Sequence, residues 1–147
     1  MQFSGEFEVP ASPQQAWTIL TKPDRFASII PDVKNFAVKD AKSFYAEFPV
    51  KLGALGGTAK MNFSYEKLDF PRHIKLVGNG TAPQSKVNLT IDLKMTQVAD
   101  GSKLNWSADV HVGGIVASVG SGLIEGFSRK KIDQIIAGLQ AMLKSEH

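Results

Sequence analysis

Residues Ile115–Lys144 read IVASVGSGLIEGFSRKKIDQIIAGLQAMLK, and the reading of this stretch decides the fold. Its thirty residues contain no proline, and good helix formers fill the second half, so it predicts one long C-terminal helix. On a wheel turning about 100° per residue, Ile132, Ile135, Ile136, Leu139, Met142 and Leu143 form one apolar stripe. Val116, Val119, Leu123 and Phe127 form another, out of phase with the first. Extending the C-terminal stripe backwards reaches Ala117, Ser118, Ser121 and Glu125, which are small or polar. The face that grips a core in the second half is therefore expected to leave space in the first, unless a kink near Gly126 closes it.

The chain before this helix is dominated by strands. Val33–Val38, Phe44–Val50, Ala59–Leu68, Ile74–Gly80, Val87–Val98 and Leu104–Val112 are rich in β-branched and aromatic residues. Turn-forming residues separate them: Lys39–Lys42, the glycine-rich Lys51–Thr58, Asp69–Arg72, Thr81–Ser85 and Ala99–Ser102. Connections this short give an antiparallel meander, because parallel pairs need crossovers of a dozen or more residues. Alternation is clearest where Val87, Leu89, Ile91, Leu93 and Met95 oppose Asn88, Thr90, Asp92 and Lys94, which gives one packed and one wet face. Gly78 and Gly80 inside a strand are read as sites of bending or bulges.

At the N-terminus, Phe3, Gly5, Phe7 and Val9 alternate with polar residues and predict a half-buried strand over Gln2–Val9. Ser12 followed by Pro13 is a helix start, with a short helix Pro13–Leu20 carrying Ala16, Trp17 and Leu20 inward. A second begins near Pro23, buries Phe26, Ile29 and Ile30, and stops before Pro31. The fold class is therefore α+β: a seven-stranded antiparallel sheet wrapped around a long C-terminal helix, with two short helices after the first strand.

Composition narrows function by exclusion. The chain has 147 residues, no cysteine, and a formal charge of +3 spread over intermingled acids and bases. Nucleic-acid binders gather their basic residues on one face, so nucleic acid is not an expected partner. Thiol chemistry and disulfides are excluded. There is no apolar run long enough to span a bilayer, and MQFSGEFEVP lacks the features of a signal peptide, so a cytoplasmic location is expected, with peripheral membrane contact left open. Arg129, Lys130 and Lys131 form the nearest thing to a basic patch. They are read as a solvated helix face, with anionic lipid headgroups or an acidic partner as the alternative.

Two strings carry a family resemblance: FSGEFEVPASPQQAWTILTKPDRFASIIPDV over 3–33 and VGGIVASVGSGLIEGFSRKKID over 112–133. Gly5-Glu6, the Pro13 to Trp17 opening of the first helix, Ile30-Pro31, and Gly113-Gly114 leading to Val119-Gly120-Ser121 are its most specific pieces. The chain resembles the CoxG family of carbon monoxide dehydrogenase, and the order of elements resembles the helix-grip fold of the START-like superfamily. The resemblance implies one START-like helix-grip domain over residues 1–147. It also implies an internal cavity for a lipid-like or quinone-like molecule and a redox enzyme as partner.

Signs of chemistry are sparse. His73, His111 and His147 show no metal-ligand spacing, and neither a metal nor a cofactor is called for. No catalytic residue is assigned. His111 and Asp109 share the wet face and read as a surface pair. Gly53, Gly56 and Gly57 in KLGALGGT lack the Lys-Ser/Thr of a phosphate loop. They are read either as hairpin sterics or as a flexible loop carrying Leu52 and Leu55 outward, as a lid or a membrane-touching tip. Taken with the resemblance, the ligand-binding candidates are Met61, Phe63, Leu76, Leu89, Leu93, Trp106, Val119, Leu123 and Phe127, with Leu52 and Leu55 at the rim. Binding or carrying a hydrophobic small molecule is the preferred function. Whether the protein is an enzyme stays open: a cyclase or hydratase on this fold would need Glu125 or Tyr65 inward. An assembly or docking factor for a molybdenum hydroxylase is the remaining alternative.

Overall fold

A computed structural model describes residues 1–114 and 120–145, apart from the side chain of Ser121. Strand β1 (Gln2–Val9) is followed by helices α1 (Pro13–Leu20) and α2 (Pro23–Ser28). Six strands come next, β2 (Asn35–Asp40), β3 (Ser43–Leu52), β4 (Leu55–Asp69), β5 (His73–Ala82), β6 (Ser85–Val98) and β7 (Gly101–Gly114), and then helix α3 (Ser121–Ser145). The sheet order is β1-β7-β6-β5-β4-β3-β2 with every neighbouring pair antiparallel. Both short helices begin as their sequence dictates. Ser12 and Gln15 close a capping box ahead of α1, and α2 starts on Pro23 with Asp24 in its first turn, where negative charge opposes the helix dipole.

The strands run further than alternation alone indicates, and the glycine-rich segment 51–58 is mostly sheet. The β3–β4 ladder continues through Val50↔Gly57 and Lys51↔Gly56 to Leu52↔Leu55, leaving a two-residue turn at Gly53-Ala54. Gly53 adopts φ 62°, which glycine takes without strain. The expectation of a loop carrying Leu52 outward is thereby corrected. Strand alternation turns Leu52 inward, where it is 4% exposed, while Leu55 is half-buried against the same small cluster.

The glycines of β5 are not bulges. The register shifts lie on other strands, between Val38 and Asp40 and between Tyr65 and Lys67. Gly78 pairs with Phe63 and Gly80 with Met61. A Cβ on Gly78 would stand 2.7 Å from Phe63 Cε1, and one on Gly80 2.7 Å from Met61 Sδ. At Gly80 the nearest obstacle is the Lys60 carbonyl oxygen, so this glycine admits the β4 backbone itself, whereas Gly78 lets the Phe63 ring lie across the neighbouring strand. Gly5 does the same for Trp106, whose indole atoms lie 2.9 Å from where its Cβ would be.

Helix α3 runs as one helix through Gly126 and presents one stripe. Ile124, Ile132, Leu139, Met142 and Leu143 are buried, with Phe127, Ser128, Lys131 and Ile135 half-buried between them. The steps of three and four residues are unbroken, so the two stripes expected out of phase are one within the described part of the helix. Ile124, not Leu123, continues it, and Leu123 is 44% exposed. Glu125 is exposed. Residues 115–119, and with them the helix start expected at Ile115 and the stripe positions Val116, Ala117, Ser118 and Val119, lie outside the described residues.

A candidate ligand cavity between sheet and helix

The concave face of the sheet tapers. Along β7 the inward residues run from Leu104 and Trp106 to Val110 and Val112, along β6 from Met95 to Val87, along β5 from Ile74 to Ala82, and along β4 from Tyr65 to Ala59. The register aligns the small ends. One row across the sheet is Val112, Val87, Gly80, Met61 and Ala46, and the next is Val110, Leu89, Gly78, Phe63 and Phe44. Below them follow Ala108, Ile91, Leu76 and Tyr65, then Trp106, Leu93 and Ile74.

Side chains of the lower rows are long enough to reach the C-terminal half of α3, and they form the main core with Leu139 and Leu143. Phe44, Met61, Phe63 and Val110 of the upper rows belong to that core as well, but space is left unfilled beside them. A cavity of about 130 Å³ remains, open on one side to solvent. It lies between the main core and the smaller cluster of Val50, Leu52, Ala59 and Ile124, and residues of both line it. Phe26, Ile30 and Pro31 close it from the α2 end, and Ile124, Phe127, Ser128, Lys131, Ile132 and Ile135 from α3.

The rows sort the residues expected at the site. Met61, Phe63 and Leu89 of the upper rows line the cavity together with Phe127 of α3. Leu52 lines it too, as wall and not as outward rim. Leu76, Leu93 and Trp106 share the same alternation but sit in the lower rows, buried in the main core and outside the lining. Trp106 is turned away by lying across Gly5. Leu123 packs at the β3–β4 tip, its Cδ2 3.6 Å from where a Cβ on Gly53 would stand, and Leu55 is likewise outside the lining. Val119 lies outside the described residues.

Lys131 and Ser128 escape a reading of the sequence alone. The basic run reads there as a solvated face, and Arg129 and Lys130 are exposed, but Lys131 lines the cavity beside Ser128. A signal for them exists: stepping back from Ile135 by four and then three residues lands on Lys131 and Ser128. These two supply the polar side chains of an otherwise apolar wall among the described residues.

Other polar pairs lie elsewhere. The Tyr65 hydroxyl donates to the carbonyl of Leu20 at 2.7 Å, and burial, with the charge of Asp24 adding to it, holds the phenol well above its ordinary range. His111 and Asp109 meet at 3.0 Å with His111 exposed, and His73 meets Asp92 at 2.7 Å, half-buried. Among the described residues no three His, Cys, Asp or Glu side chains gather as a metal site, and no helix is long and apolar enough to cross a membrane.

The fold has many counterparts among solved structures. A conserved protein from Geobacillus kaustophilus superposes with a TM-score of 0.83 at 21% identity, over 97% of this chain and 95% of that one. An aromatase/cyclase from a Streptomyces species gives 0.69 at 13% identity over 97% and 93%. A START superfamily protein from Mycobacterium smegmatis gives 0.66 at 12% identity over 97% and 96%. These likenesses establish the helix-grip fold. Among curated proteins none matches the sequence. The family model for CoxG, described as a subunit of carbon monoxide dehydrogenase, matches residues 5–144. With nearly the whole chain matched, the protein belongs to the CoxG family of carbon monoxide dehydrogenase.

Proposed function

We propose that the protein binds and carries a hydrophobic small molecule, lipid-like or quinone-like, in the cavity between sheet and α3, as an accessory to a redox enzyme. The observation that carries this reading is the wall: a cavity of about 130 Å³ whose described lining is apolar except for Ser128 and Lys131. Apolar voids are costly to keep empty, at about 24 cal/mol per Å³, and an apolar cavity of roughly 150 Å³ takes up benzene readily. The space therefore suits one ring or a short run of methylenes, and a longer molecule extends through the open side. Affinity would come from buried apolar area, with few polar contacts to set orientation. The redox partner rests on the family description alone.

The test is native mass spectrometry and organic extraction of purified protein, followed by titration of the delipidated protein with Nile red, an uncharged probe. A co-purifying lipid or isoprenoid and a saturable probe site are expected. Protein that carries nothing and shows no saturable uptake overturns the proposal. Recovery of a molybdenum hydroxylase in a pull-down would support the redox partnership, and a chain recovered alone would count against it. The cyclase or hydratase alternative loses its two candidates, since neither Glu125 nor Tyr65 lines the cavity.

A further inference from the structure

The polar spot on the cavity wall has a definite chemistry. Ser128 and Lys131 stand one helical turn apart, and both line the cavity. The Lys131 side chain is 17% exposed, its apolar stem lying along the wall and its ammonium reaching the solvent edge beside Asp32, as long cationic side chains do. Its Nζ lies 5.6 Å from the centroid of the Phe127 ring, another wall residue. The counter-ion is Asp32, at 3.6 Å from Nζ to Oδ2 and 72% exposed. That separation is well beyond the roughly 2.7–2.9 Å of a charge-assisted hydrogen bond, and water screens the carboxylate. An ammonium carried to the edge of an apolar cavity, its stem part of the wall and its exposed counter-ion held only loosely, matches an oxyanion attached to an apolar tail.

Resting on the reading that the cavity holds a hydrophobic molecule, we infer that its ligand is a single-chain amphiphile with a carboxylate or phosphate headgroup. The tail occupies the cavity and the headgroup sits at Lys131 Nζ and Ser128 Oγ. Asp32 is the resting partner of Lys131 and competes with the incoming anion. It follows Pro31 of the cavity wall directly and has φ 56°, a conformation that asparagine also tolerates. Asp32→Asn therefore removes the competing charge while keeping the turn, and Lys131→Met keeps the apolar stem while removing the ammonium.

The experiment displaces Nile red from delipidated protein with decanoate, decyl phosphate and decanol, which share a tail and differ in headgroup. Wild type is expected to bind at least one of the anions about tenfold more tightly than decanol, as one hydrogen bond to a charged group allows. The better of the two anions identifies the headgroup. Lys131→Met should abolish that preference, and Asp32→Asn should widen it. Equal binding of all three by wild type, or a preference that survives in Lys131→Met, overturns the inference and leaves the hydrophobic cavity intact. If neither decanol nor Nile red binds, the broader function falls and this inference with it.

Discussion

Ala59→Leu tests whether the space above the sheet is real. Ala59 is buried on β4 opposite Phe48 and lines the cavity. A void of about 130 Å³ withholds at most about 3 kcal/mol, at roughly 24 cal/mol per Å³, which bounds what filling can return. Leucine brings about three more carbons, worth about 2.4 kcal/mol if each buries at about 0.8 kcal/mol. Ordering its side chain costs about 0.5–1 kcal/mol. The net expectation is a gain of about 1–2 kcal/mol, or about 2–8 °C in melting temperature for a chain of this size.

The assay is urea and thermal unfolding of delipidated wild type and variant, since bound ligand would stabilise wild type by mass action. The urea midpoint should rise at unchanged slope, and Nile red uptake should fall. A well-packed site predicts the opposite sign, a loss of about 1–3 kcal/mol from overpacking. That loss would refute the existence of usable space. A stabilised variant that still takes up the probe would place the binding site elsewhere.

Two further substitutions probe the scaffold. Tyr65→Phe deprives the Leu20 carbonyl of its donor and should cost about 1–3 kcal/mol. Because burial raises this phenol in the folded state, the unfolded chain releases its proton first, near pH ~10. Stability is then intact below that pH and falls above it, by up to about 1.4 kcal/mol per pH unit. Urea midpoints between about pH 9 and 11 should fall less steeply in Tyr65→Phe, and an identical alkaline slope would refute the assignment. Gly5→Val places a Cβ 2.9 Å from the Trp106 indole, so the ring must move. A loss of about 1–3 kcal/mol with altered tryptophan emission is expected. Nile red affinity should be kept, because Trp106 lies outside the cavity lining, and lost affinity would mean that its row belongs to the site.

What is legible in the sequence is local. Alternation along β6 and β7, the capping residues Ser12 and Pro13, and the helical spacing from Ile132 to Leu143 each depend on neighbours in the chain, and all appear in the structure. What stays hidden is cross-strand position. Met61, Phe63 and Leu89 look no different from Leu76, Leu93 and Trp106 in periodicity, yet the first three line the cavity and the others do not, because register alone sets their depth. The segment Lys51–Thr58 misleads for the same reason. Its glycines signal a loop to any local reading, but Gly56 and Gly57 are ladder residues paired with Lys51 and Val50.

The origin of the cavity shifts accordingly from helix to sheet. A missing apolar stripe on α3 is the source of space that periodicity suggests, but Ile124 continues that stripe, and the shortfall comes from inward residues that shrink from Leu104, Met95, Ile74 and Tyr65 towards Val112, Val87, Ala82 and Ala59. Four strands taper toward the same end, and antiparallel register is what brings the small ends together. The helix closes the space with Ile124, Phe127, Ile132 and Ile135 and adds the polar residues Ser128 and Lys131 to it. The interruption of the apolar stripe at Ser128 and Lys131 therefore does not create the cavity. It sets Ser128 and the stem of Lys131 into the wall of that space, with the ammonium at its edge beside Asp32, and it is there that discrimination between headgroups would be built.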